Sequence, residues 1–163
     1  MNLKRPGVFL GFFCLLAFPL QASVVSILVI ETGLNQETVV KDYAALWEDG
    51  IMAVFFDAGH IVTNAAAIRA GRGQGGEFSG EAGEDFDEAA RGGADYFILA
   101  LLDYKELNGT FKPSVVSLRL YTLAGRKLIY EGKFPAGGEG DGKEEHERAR
   151  EAARILISHI KDR

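Results

Sequence analysis

The chain has 163 residues, a formal net charge of −5 and a single cysteine. Its length suits one domain with a core of its own. With 23 acidic against 18 basic residues and no basic run longer than two, composition argues against nucleic acid or anionic lipid as a partner.

The first residues have the three parts of a secretory signal. Lys4 and Arg5 are basic, Val8 to Leu20 is apolar, and Pro19 precedes the small-residue site Leu20-Gln21-Ala22 ahead of Ser23. The apolar run is about 13 residues, roughly 20 Å as a helix, short of the ~30 Å of a bilayer core. We therefore expect residues 1–22 to be a cleavable signal peptide and residues 23–163 a single exported domain. Cys14 lies inside the apolar run behind Phe12 and Phe13, so it lacks the small residues of a lipidation site. After cleavage the domain has no thiol and no disulfide framework. No later apolar run is long enough to span a membrane.

In chain order, Val24 to Ile30 (VVSILVI) is a continuous apolar run and predicts a strand covered on both faces. Thr32 to Asn35 forms the turn after it. Val40, Tyr43, Ala44, Trp47, Ile51, Val54, Phe55 and Ala58 recur at helical spacing, predicting a long helix with Asn35 as N-cap and Gly59 at C′. Gly50 predicts a kink within it. Ile61 to Thr63 reads as a short strand.

Glycine and acidic residues fill 71–83 and predict a loop. Phe86, Ala89 and Ala90 then mark a short helix that stops at Gly92-Gly93. Three strands follow: Asp95 to Lys105, the alternating Val116, Leu118 and Leu120, and Leu128 to Phe134. Asn108-Gly109 joins the first two as a type I′ hairpin turn, and Pro113 must sit where no ladder donor is needed. A second turn at Ala124-Gly125 leads into the last strand. After a glycine-rich loop near 137–142, Ala149, Ala152, Ala153, Leu156, Ile157 and Ile160 line one face of a C-terminal helix. The order β-α-β-α-β-β-β-α predicts a single α/β domain, a mixed sheet packed by three helices.

The stretch from Ala89-Ala90 through Gly93-Ala94-Asp95 into the strand at Tyr96 resembles the small N-terminal periplasmic domain of the TolB family. Related domains occur in curli-secretion and penicillin-binding-protein activator lipoproteins. The resemblance covers the order of elements from Val24 to Ile160. It implies a non-enzymatic domain that docks to other envelope proteins, without implying which one. The chain departs from the lipoproteins in having no acceptor cysteine, and from TolB in having no propeller after the domain.

The motifs that would carry chemistry are weak. Gly71-Arg72-Gly73-Gln74-Gly75-Gly76 matches G-x-G-x-x-G, but residues 65–70 separate it from the strand and acidic residues follow it, so we read a loop rather than a dinucleotide site. Asp57 and His60 suggest a metal or acid–base pair, but His146 and His159 are about 220° apart around their helix and cannot complete it. Glu139 to Gly142 and the carboxylates near Glu84 could loosely hold calcium, but they lack the ligand spacing of a calcium loop and read better as solvated acidic loop. Gly-x-Ser-x-Gly does not occur, and the Asn108-Gly109-Thr110 sequon is accounted for by the hairpin turn.

We therefore expect no cofactor, no metal and no catalytic set, and a periplasmic, non-enzymatic domain that binds another envelope protein. Phe56, Tyr121 and Tyr130 are the aromatics with the weakest claim to the core and are the candidate docking residues. Two alternatives stand beside this reading: a small-ligand binding protein with the 71–83 loop as a lid, and a hydrolase using Asp57 or His60. Oligomeric state, and use of a sheet edge for binding, are left open.

Overall fold

The computed structural model describes residues 22–35, 38, 40–70, 81–136 and 142–160. The signal-peptide residues up to 21, the G-x-G-x-x-G stretch and Glu139 to Asp141 lie outside the described residues.

The first strand, β1 (Val24–Thr32), sits inside the sheet. Val25, Ile27 and Val29 point to one face and Leu28 and Ile30 to the other, all buried. This is the two-sided covering that its unbroken apolar sequence demands. Helix α1 (Tyr43–Asp57) follows. It starts seven residues later than a cap at Asn35 predicts. Asn35 instead closes a local turn with Thr38, whose N–H donates to the Asn35 carbonyl at 3.0 Å. Asp42 takes the cap, its Oδ1 accepting from the Ala45 N–H at 3.0 Å. The C-terminus is as predicted. Gly59 has φ +86°, its N–H donates to the Phe56 carbonyl and the His60 N–H donates to the Phe55 carbonyl, a Schellman closure.

The chain then runs along the edge of β1 twice. Strands β2 (Ile61–Asn64) and β3 (Ile68–Ala70) both pair parallel with β1, at Val24–Ile27 and Ile30–Thr32 respectively. They form one edge strand broken at residues 65–67, and its second half was not predicted. Helix α2 (Glu81–Arg91) crosses to the far face. It begins at Glu81, so the predicted loop ends by residue 80. Strands β4 (Tyr96–Leu107), β5 (Thr110–Thr122) and β6 (Lys127–Pro135) complete the order β2-β1-β4-β5-β6. Parallel pairing holds up to β4 and antiparallel pairing beyond it, so the sheet is mixed.

The hairpin turn has φ +53° at Asn108 and +75° at Gly109, the two positive values of a type I′ turn. Pro113 faces Tyr104 where the register shifts between Asp103 and Tyr104, a bulge that accommodates its missing donor.

Helix α3 (Gly142–Ile157) packs beside α1 on one face of the sheet, and α2 covers the other. Gly50 explains the closeness of α1 and α3. A Cβ there would lie 2.6 Å from Ala149 Cβ and 2.8 Å from the His146 carbonyl oxygen. Its role is close helix approach, with Ala149, Ala152 and Ala153 as the small residues opposite. Among the described residues, no helix is long and apolar enough to cross a membrane.

Candidate functional site

Two features stand out once the layers are assembled. The first is a crevice outside the carboxyl ends of β1 and β3. The connection from β1 to β2 runs over one face through α1, and that from β3 to β4 over the other through α2. Open α/β sheets place their ligand crevices at such switch points.

Its floor is a buried carboxylate. Glu31 continues the alternation of Ile27 and Val29 and is 5% exposed. Its Oε1 accepts from the Tyr104 hydroxyl at 2.5 Å, and its Oε2 pairs with the Arg69 guanidinium at 2.9 Å. Arg69 is its direct register partner on β3. Burial, then the hydrogen bond and charge of Glu31, hold the Tyr104 hydroxyl far above the ordinary tyrosine pKa. The phenol stays protonated and acts as a fixed donor.

Asp42, Glu84 and Asp85 join Glu31 and Arg69 around a cavity of about 900 Å³, with Val40, Ala44, Ala66, Ala67 and Ile68 as its apolar wall. Four acids against one base suit a cationic group. The described lining holds no hydroxyl, thiol or imidazole to act as a nucleophile. The proposed lid, residues 71–83, lies outside the described residues up to 80, and 81–83 are helical.

Sequence reasoning singled out the carboxylates near Glu84 but missed Glu31, Arg69 and Tyr104 because it ended β1 at Ile30. The available signal was Glu31 itself, an acid on the buried side of an unbroken apolar strand.

The second feature is two exposed apolar side chains near the opposite end of β1. Phe56 is 73% exposed and Ile61 55% exposed, and they flank the turn between α1 and β2. The other candidate aromatics are placed differently. Tyr121 is 4% exposed and is a core residue, packed edge-on against Phe86 with ring centroids 5.9 Å apart. The reason is α2, whose Phe86 covers Tyr121 and Phe97 together. Tyr130 is half-buried, its ring 4.5 Å from that of His159.

Asp57 and His60 do not form a pair. Asp57 accepts from Arg150 at 3.3 Å, while the His60 ring packs against Phe55 at 5.8 Å. Among the described residues, no group of three or more acids, histidines or cysteines gathers as a metal site.

No protein-family model matches the chain, and no curated protein matches it. Solved structures similar to it include the PelC dodecamer from Paraburkholderia phytofirmans, at 11% identity and a TM-score of 0.49, covering 87% of this chain and 89% of that one. The LpoB C-terminal domain from Escherichia coli is 14% identical with a TM-score of 0.43, covering 72% and 84%. TolB from Acinetobacter baumannii is 12% identical with a TM-score of 0.37, covering 86% of this chain and 27% of TolB. TolB is the family that the Ala89 to Tyr96 stretch resembles. At these identities no activity, partner or assembly passes from those proteins to this one.

Proposed function

We propose that the protein is an exported, non-enzymatic domain of the cell envelope that binds another envelope protein through the surface around Phe56. The carrying observation is the exposure of Phe56, and of Ile61 across a turn closed by its own backbone hydrogen bonds. An aromatic ring held in water on a rigid helix end is a low-entropy anchor of the kind that dominates protein interfaces. Residues 1–22 support export to the periplasm.

The test is cross-linking of the tagged protein in intact envelopes, with the N-terminus of the same sample sequenced. Capture of one envelope protein by the unaltered chain but not by Phe56→Ser, with the chain starting near Ser23, supports the reading. Equal capture by both, or an uncleaved N-terminus, overturns it.

A second reading is favoured by the crevice alone: a binding protein for a small cationic ligand held by Glu31, Asp42, Glu84 and Asp85. It requires that Glu31→Gln weaken binding of such a ligand while Phe56→Ser leaves it unchanged.

A further inference from the structure

Strand β6 is an edge. It pairs with β5 on one side, and among the described residues nothing pairs with the other. Its backbone polarity follows from a single bond. The Ala136 N–H donates to the Ser114 carbonyl at 3.4 Å, one step beyond the pair Val115 and Pro135. Hydrogen-bonded and non-bonded pairs alternate along an antiparallel ladder. Phe134, Gly132 and Tyr130 therefore bond inward to β5, while Glu131, Lys133 and Pro135 turn their backbone groups to the open edge. Pro135, which has no N–H, stands at an outward position where nothing is lost from the β5 ladder.

The side chains of this segment read aromatic, acid, glycine, base, aromatic: Tyr130, Glu131, Gly132, Lys133, Phe134. That order is its own complement when two copies run antiparallel. We propose that β6 is a self-pairing edge, at which two copies of this chain join antiparallel about a two-fold axis through Gly132. Glu131 of each copy then lies opposite Lys133 of the other, and Tyr130 opposite Phe134.

The register is specified by charge and by backbone. Glu131 and Lys133 both face outward, so each such pair exchanges two backbone hydrogen bonds and sets opposite charges side by side. Sliding by two residues sets Glu131 against Glu131, or Lys133 against Lys133. A slip of one residue puts an outward-facing backbone opposite an inward-facing one, and no ladder forms. Twofold symmetry makes the contact isologous, so it closes at two copies rather than growing into a fibre. The same charges guard the edge against arbitrary strands, as does the bulge between Leu128 and Tyr130. The broken β2–β3 edge offers only four- and three-residue segments. Glu131 also pairs with Arg119 at 2.8 Å on its own sheet, which holds the carboxylate on the solvent face where Lys133 of the other copy arrives.

This pairing is independent of the Phe56 surface, and one experiment separates them. Light scattering after size-exclusion chromatography of the protein, purified as the exporting cell processes it, gives twice the mass of one chain. Phe56→Ser leaves that mass unchanged. Lys133→Glu and Glu131→Lys each put like charges opposite each other twice, and each raises the dimer dissociation constant about tenfold or more. An equimolar mixture of the two variants sets every acid against a base and restores the double mass. Lys133→Arg keeps the double mass, so Lys133→Glu against Lys133→Arg carries the test if Glu131→Lys unfolds with Arg119 unpaired. A single-chain mass for the unaltered protein, or a double mass in Lys133→Glu alone, overturns the proposal.

Discussion

The indole Nε1 of Trp47 donates a hydrogen bond to the Glu145 carboxylate at 2.7 Å, between α1 and α3. Both side chains are buried, and the other carboxylate oxygen pairs with Arg148 at 3.0 Å. A buried acid of this kind is tolerable only while its partners are present. It ties two helices 98 residues apart in sequence to one relative position.

Removing either end should therefore cost more than packing alone. Trp47→Phe keeps most of the ring volume and takes the indole donor from Glu145 Oε1 while Oε2 keeps Arg148, so we expect a loss of about 1–3 kcal/mol. Glu145→Ala strands the indole instead. The double variant should be less damaging than the two singles added together, because the two singles each break the same hydrogen bond. Urea unfolding of the four proteins measures this, and strict additivity would remove the coupling.

Gly50→Ala tests the same helix pair from the steric side. Alanine in a helix interior gains about 1 kcal/mol over glycine. Here the added methyl meets Ala149 Cβ and the His146 carbonyl oxygen well inside contact distance, and overpacking costs about 1–3 kcal/mol. The steric term wins, and the midpoint of urea unfolding should fall. A rise would mean that α1 and α3 part easily.

Alkaline pH should weaken the fold through Tyr104 and Tyr43. Burial raises both above the ordinary value of 10.0, with the charge and hydrogen bond of Glu31 adding at Tyr104 and the charge of Glu145 at Tyr43. Below pH 10 both are protonated, folded or unfolded, and contribute no slope. Above it the unfolded chain releases protons that the folded chain retains, so stability falls as pH rises. Tyr104→Phe should flatten that fall above pH 10 while lowering stability at neutral pH, where Glu31 loses a donor. Melting temperatures across pH 8 to about 11.5 decide it; an unchanged alkaline slope would show that Tyr104 titrates normally.

What was legible in the sequence follows from how local each cause is. β1 and β4 announced themselves because a strand covered on both faces has no polar alternation to obscure it. Asn108-Gly109 specified its turn through φ alone. The start of α1 was misplaced because Asn35 and Asp42 are both sound caps, and only the Asn35–Thr38 turn decides between them. β3 was missed because Ile68-Arg69-Ala70 is strand only by pairing with β1. Tyr121 looked exposed because it follows Ser117 and Arg119 on the solvent side of β5; α2 reaches over that face just far enough to bury it. Glu31, Arg69 and Tyr104 come from three strands, and no spacing in the chain foretells their meeting.

The contrast between Phe56 and Tyr121 gives the last prediction. Sequence reasoning grouped the two, yet one stands in solvent and the other fills the core beneath α2. Phe56→Ser removes no internal contact of consequence, so its stability should stay within about 0.5 kcal/mol of the parent. If Phe56 anchors a partner, the same change should weaken partner binding by tenfold or more, about 1.4 kcal/mol. Tyr121→Ser should do the reverse. It empties a site against Phe86 and Phe97 at a cost of about 3–5 kcal/mol, the range for removing a buried ring, and any loss of binding should track the loss of fold. Thermal unfolding and partner capture, measured on both variants, separate a docking residue from a packing one. Binding that survives Phe56→Ser would move the partner's contact elsewhere on the molecule.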